Sequence, residues 1–280
     1  MDLVADQWFL FPAAVVIATL GMSCGIGGAI LFSPMFMVVL ELPPAVAIGT
    51  ALLTQLFGFS SGVYAYRRRQ LIDYALARRL LVVAIPGAAL GVLGAGLVPG
   101  DLLRRLFACG IVAIGVQLFR SYQRERREAD VPQTPTGPPT LVDARGIAYR
   151  YTLRSPHLAR LFAAGGGTLL GLVSVGLAEL LEYHLIVISL VPPPVAVATS
   201  ILVVFAATLT AAGGHLYTFA VHAAPGTLTQ VGQVVMFTIP GVILGGQIGP
   251  WLQTRLNPTT VRLGMAFVFC ALGVFMLLRG

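Results

Sequence analysis

Of 280 residues, 57% are hydrophobic and 10% charged, with mean hydropathy +0.87. Soluble domains carry about 25% charged residues, so a water-soluble fold is excluded. The net charge of +7 rests on 18 basic residues, all of them Arg and grouped between apolar stretches, a pattern of membrane topology rather than of nucleic-acid binding.

In chain order, Met1 to Gln7 carry Asp2 and Asp6 but no basic residue. The charged start of a cleavable leader is missing there, so the first apolar stretch is expected to stay in the protein. Apolar stretches follow at Trp8–Leu40, Ala45–Tyr66, Leu76–Val98 and Leu102–Phe119, then at Leu158–Leu190, Val195–Ala220, Val231–Leu252 and Val261–Leu278. Residues 121–157, rich in Arg, Glu, Pro and Thr, read as a solvated cytoplasmic linker between membrane repeats at 1–120 and 158–280. Arg67 to Arg69, Arg78, Arg79 and the linker arginines set the cytoplasmic side.

The two halves repeat each other. Leu42-Pro43-Pro44-Ala45-Val46-Ala47 returns as Val191-Pro192-Pro193-Pro194-Val195-Ala196, and Ile85-Pro86-Gly87 with Leu90-Gly91 returns as Ile239-Pro240-Gly241 with Leu244-Gly245. Each half opens on a stretch too long for one span. Gly25-Ile26-Gly27-Gly28 with Pro34, and Gly165-Gly166-Gly167, Gly171 and Gly176, supply places to break it. The expectation is an all-α polytopic membrane protein of two homologous halves, each of about four transmembrane helices with the first broken or re-entrant. That makes roughly 8 to 10 membrane segments, with the halves inverted.

Irregular backbone at membrane depth survives only inside protein or beside a water-filled cavity, so the paired breaks point to a central site. Gly25, Gly27, Gly28 and Gly176 are expected to bring backbone N–H groups to an anion there. Thr50, Thr199 and Ser200 follow the Pro-Pro turns by about two helical turns, and Gln55 lies within a span; each offers a donor or an interhelical hydrogen bond. Glu179, Glu182 and His184 are ionisable groups inside the second opening stretch, candidates for proton coupling or for capping a broken helix. Cys24, Cys109 and Cys270 are isolated in apolar segments and form no disulfide or metal pattern.

These residues resemble the sulfite exporter TauE/SafE family of membrane transporters. The likeness rests on Gly25-Ile26-Gly27-Gly28 with Pro34, Leu42-Pro43-Pro44, Gly49-Thr50, Ser60-Ser61-Gly62, Tyr66-Arg67-Arg68, Asp73, Pro192-Pro193 and Ala198-Thr199-Ser200. It implies secondary transport of a small sulfur-containing anion such as sulfite or sulfoacetate across the cell inner membrane, driven by an ion gradient. The second half reads Ser174-Val175-Gly176-Leu177-Ala178-Glu179 where a full glycine motif would stand, so the two breaks are not copies.

A passive anion channel on the same scaffold is the alternative. An intramembrane enzyme is disfavoured, since no H-E-x-x-H or G-x-S-x-G pattern occurs, and a chain without Lys holds no Walker A motif. No catalytic residue, cofactor or metal is expected. The partners expected are a small anion and the lipid bilayer, with no nucleic acid; a homo-oligomer is left open.

Overall fold

The structure, a computed structural model, describes residues 7–23, 29–128, 139–253 and 258–278. Proline sets where two of the long helices begin. Pro44 lies in the first turn of α3 (Pro44–Arg68) and Pro193 in that of α8 (Pro193–His222), where a missing N–H is harmless and the fixed φ suits a helix. Three residues before each stands a left-handed residue, Glu41 at φ 51° and Leu190 at φ 54°. These two are 149 positions apart (190 − 41), as are Pro44 and Pro193 (193 − 44), so the duplication extends to the backbone.

The first opening stretch gives α1 (Leu10–Ser23) and α2 (Ala29–Val38), with Pro34 inside α2, on either side of residues 24–28, where the expected break lies outside the described residues. The second is broken and gives α6 (Pro156–Val173), α7 (Leu177–Glu182) and a π-helical segment at Tyr183–Ile188. Gly165-Gly166-Gly167 and Gly171 lie inside the unbroken α6, so the break falls later than these glycines suggest. Ser174 at φ 59° and Gly176 at φ 106° make it. The chain then doubles back: Leu177 packs on Gly166, and the rings of Tyr183 and His184 lie 6.4 and 5.5 Å from that of Phe162. Ser189 Oγ donates to Arg154 O at 2.9 Å, returning the hairpin's end beside its start.

The remaining membrane helices are α4 (Tyr74–Leu97), α5 (Gly100–Glu128), α9 (Thr227–Gln253) and α10 (Pro258–Leu278). Among the described residues, five helices are long and apolar enough to cross a membrane, and α1 and part of α10 add shorter apolar helices. With 29 residues, α5 measures about 43 Å against a bilayer core of about 30 Å, so its Arg- and Glu-rich end continues as helix beyond the core.

The halves interlock through glycine. Gly87 and Gly91 of α4 meet the backbone of α6 at Ala164 and Thr168, while Gly167 and Gly171 of α6 meet α4 at Ala84 and Ala88. The reciprocal pair repeats this: Gly241 of α9 meets Phe11 and Ala14 of α1, and Gly245 meets Val15 and Ala18. Both pairs run parallel. By contrast α3 and α8 run antiparallel, since Gly49 faces His215 and Phe219 while Gly62 faces Ile201. So do α5 and α10, with Gly115 on Ala266 and Cys270 and Gly273 on Ala108 and Val112. α3 runs parallel to α9, joined by Thr54 Oγ1 to Thr238 Oγ1 at 2.9 Å and Gln247 Nε2 to Ser61 Oγ at 2.8 Å. With α1 and α3 both parallel to α9, the chain must return between them, and α2 lies in that return.

The linker is partly folded. β1 (Pro139–Val142) pairs antiparallel with β2 (Ala148–Arg150). Asp143 closes their turn, its Oδ1 accepting from Arg145 N at 2.9 Å and Ile147 N at 2.8 Å. Tyr151 beyond it is 7% exposed and belongs to the main core, so this part of the stretch read as solvated is docked on the helices instead.

A side chain at Gly171 would drive into Ala88 O and stand 2.9 Å from Val92 N, whereas one at Gly165 on the same helix meets nothing within 4 Å. Gly171→Leu is therefore expected to cost at least about 1–3 kcal/mol through overpacking and to lower the melting temperature in detergent. Gly165→Leu leaves it nearly unchanged; equal melting temperatures for the two variants would contradict the glycine-mediated packing.

Candidate functional site

The turn at Ser174–Gly176 stands where the halves meet. Ser33 Oγ on α2 lies 2.7 Å from Ser174 Oγ, and both side chains are buried. Beside this contact is a small central cavity whose lining includes Ile30 and Gln55 from the first half and Ser174, Gly176, Glu179 and Val204 from the second. Ile30 and Glu179 are 149 positions apart (179 − 30), and so are Gln55 and Val204 (204 − 55). Equivalent positions of both repeats thus line one space, with the polar member on opposite halves. Its volume is about 10 Å³, room for at most about one water. Of the described residues lining it, Glu179 alone is ionisable.

Glu179 occupies the break itself. Its Oε2 accepts from Gly176 N at 3.0 Å, the side chain reaching back to cap its own helix. The N–H expected to meet an anion is therefore taken by a carboxylate. On its other side Glu179 lines a cleft of about 180 Å³ between α5 and α6–α7, walled by Leu106, Gly110, Ile114 and Leu169. Gln117 Nε2 from α5 donates to Glu179 O at 3.4 Å. Glu179 thus stands as the partition between the central cavity and a side cleft.

Gln55 is 5% exposed and lines the cavity, with its Oε1 buried and unpartnered. Ser200 and Thr208 on α8 are fully buried, and their hydroxyl oxygens have no partner. They flank the cavity-lining Val204 at four-residue spacing and so share its helix face. Buried polar atoms are normally satisfied, and the orphaned Gln55 Oε1 at the cavity marks a place for water or a ligand.

The other sequence candidates fall elsewhere. Thr50 is buried and donates to Val46 O at 2.7 Å, within its own helix. Thr199 is buried and accepts from Asp73 N at 3.0 Å. Glu182 ends α7 within electrostatic reach of Tyr66 on α3. His184 has no exposed surface, stands against Phe162, and leaves both ring nitrogens unpartnered. Neither Glu182 nor His184 lines the central cavity. Gly25, Gly27, Gly28 and Cys24 lie outside the described residues.

Ser33, Ser174 and Thr208 were not singled out from sequence. Thr208 carried a usable signal, eight residues beyond Ser200 on one helical face; Ser33 and Ser174 carried none, because their contact depends on how the hairpins dock.

The sulfite exporter TauE/SafE family model matches residues 10–276. "Probable membrane transporter protein YunE" of Bacillus subtilis (strain 168) is 25% identical over 280 residues, covering 97% of each chain. "Probable membrane transporter protein ORF9" of Sinorhizobium sp is 32% identical over 108 residues, covering 39% of this chain and 41% of its own. No solved structure matches. With its apolar helices and that near-complete match, the chain is a multi-pass membrane protein and belongs to the sulfite exporter TauE/SafE family of membrane transporters.

Proposed function

We propose that the chain is a secondary transporter exporting a small sulfur-containing anion, sulfite or an organosulfonate such as sulfoacetate, across the cell inner membrane. Its two repeats are inverted, and proton binding at Glu179 is coupled to anion binding. The observation that carries this reading is the carboxylate of Glu179 on the Gly176 N–H at a cavity lined by both halves. The family match supports the substrate class. The antiparallel course of α3 against α8 and of α5 against α10 supports inversion, because repeats related by an axis in the membrane plane run oppositely.

The coupling follows from charge. A carboxylate at the cavity repels an incoming anion in a medium of low dielectric, where like charges a few ångströms apart interact strongly. Protonating Glu179 removes that repulsion and weakens its hold on the Gly176 N–H. The anion then replaces the carboxylate at this donor, with the Ser200 and Thr208 hydroxyls and the Nε2 of a turned Gln55 amide as further donors. Proton and anion therefore occupy the site together and move together, and direction is set by the gradients. A cavity of about 10 Å³ leaves no room for an anion as it stands, so the site must widen to bind one, as a carrier's does.

In proteoliposomes, an imposed pH gradient should drive one of sulfite, sulfoacetate, taurine or sulfate. Glu179→Gln, permanently neutral, should retain anion movement and lose its dependence on the gradient; unchanged pH dependence would return Glu179 to a capping role. Gln55→Leu or Ser200→Ala should weaken apparent affinity about tenfold, the effect of losing one hydrogen bond to an anion. Wild-type affinity in both would remove these side chains from the site.

A further inference from the structure

The two mouths of the molecule are equivalent by repeat, yet they are closed differently. At one mouth Tyr151 OH donates to Asp73 Oδ2 at 2.8 Å, and Asp73 N donates to Thr199 Oγ1 at 3.0 Å. This chain joins the linker to α4 of the first half and to α8 of the second. The hairpin of β1 and β2 adds a tie to the end of α3, with Ala144 N donating to Arg69 O at 3.0 Å. Burial, then the hydrogen bond and charge of Asp73, push the Tyr151 phenol above its ordinary range, so it remains the donor.

The other mouth has the corresponding residues without the connection. Thr50 corresponds to Thr199 (199 − 50 = 149), and Thr227 to Asp73 by the spacing of Pro86 and Pro240 (227 − 73 = 240 − 86 = 154). Thr50 Oγ1 is turned onto Val46 O, and Thr227 N donates to Ala224 O at 3.1 Å. Neither reaches across to the opposite half, and no linker hairpin covers them among the described residues.

The tied mouth is joined to the site along α8, Thr199 standing five residues before the cavity-lining Val204 (204 − 199). Leu71, Ile72 and Ala198 form a buried cluster, with Tyr66, Tyr149 and Leu202 packed on it. Thr199 and Ala198 immediately precede Ser200, whose unpartnered hydroxyl is part of the orphaned polar column. Any opening towards this side must part the α3–α4 turn from the start of α8, and the Tyr151–Asp73–Thr199 chain spans that line.

We propose that the linker hairpin is a one-sided latch: it holds the linker-side mouth shut through the Tyr151–Asp73–Thr199 hydrogen-bond chain, and that chain must break for the site to open to the linker side. The word mouth rests on the transport reading; the latch as a mechanical device does not.

The test replaces Cys24, Cys109 and Cys270 by Ala, introduces Ser200→Cys as reporter, and measures its labelling by a membrane-impermeant maleimide applied from the linker side. Tyr151→Phe should raise the labelling rate about tenfold, the factor for losing one hydrogen bond to a carboxylate. Thr199→Val, which cuts the other end of the chain, should raise it likewise, and Thr50→Val at the opposite mouth should not. An unchanged rate in Tyr151→Phe and Thr199→Val proteins that elute as folded species would overturn the latch, as would an equal rise with Thr50→Val. The readout needs no substrate. Loss of every anion flux in the parent protein, with the labelling difference intact, would therefore refute the transport reading and leave the latch standing.

Discussion

A peptide group that leaves its helix inside a bilayer has no water to turn to, and each one left unsatisfied costs several kcal/mol. The break at Ser174–Gly176 therefore has to be wrapped in protein, and the fold meets that demand by exchange. The opening helix of each half packs on the third membrane helix of the other, α6 on α4 and α1 on α9, through glycines that let backbones touch. The same exchange brings the doubled-back hairpin of the second half against α2 of the first, so the least regular backbone and the most buried polar groups share the centre. Here the route from sequence to site passes through packing.

Duplication was legible because proline and glycine act at fixed backbone positions. The Pro-Pro strings mark helix starts, and the left-handed Glu41 and Leu190 sit at the same distance before them. Glycine was ambiguous for the same reason it was conspicuous. Gly165 to Gly167 and Gly171 suit either a break or a close helix contact, and only the partner helix α4 decides for contact. The turn itself uses Ser174, a residue with no special left-handed signal. Thr50 and Thr199 look alike in sequence and differ in partner, because Asp73 stands across from Thr199 while Thr227 holds the corresponding place. The linker's hairpin had a local cue in Asp143-Ala144-Arg145-Gly146, a turn composition, but its docking depends on Tyr151 reaching Asp73.

The asymmetries of the repeat fall where the transport reading places the site. At the central cavity, Glu179 faces the position held by Ile30, and Gln55 the position held by Val204. A space built by symmetry thus receives one carboxyl and one amide, not two of each. One titratable group among the described residues of the lining is the minimum that the proposed tie of one proton to one anion needs. Among the described residues the linker adds a second asymmetry, since its Tyr151–Asp73 bond has no counterpart at Thr227.

If transport works by the two halves parting around the central cavity, the contact between Ser33 and Ser174, with hydroxyl oxygens 2.7 Å apart where the halves meet, must open in each cycle. The direct measurement is anion flux in a cysteine-free background carrying Ser33→Cys and Ser174→Cys, before and after oxidation, since side chains this close suit a disulfide. The account predicts rapid cross-linking, loss of flux in the cross-linked protein and recovery on reduction. Failure to cross-link, or wild-type flux through the cross-linked protein, would contradict it.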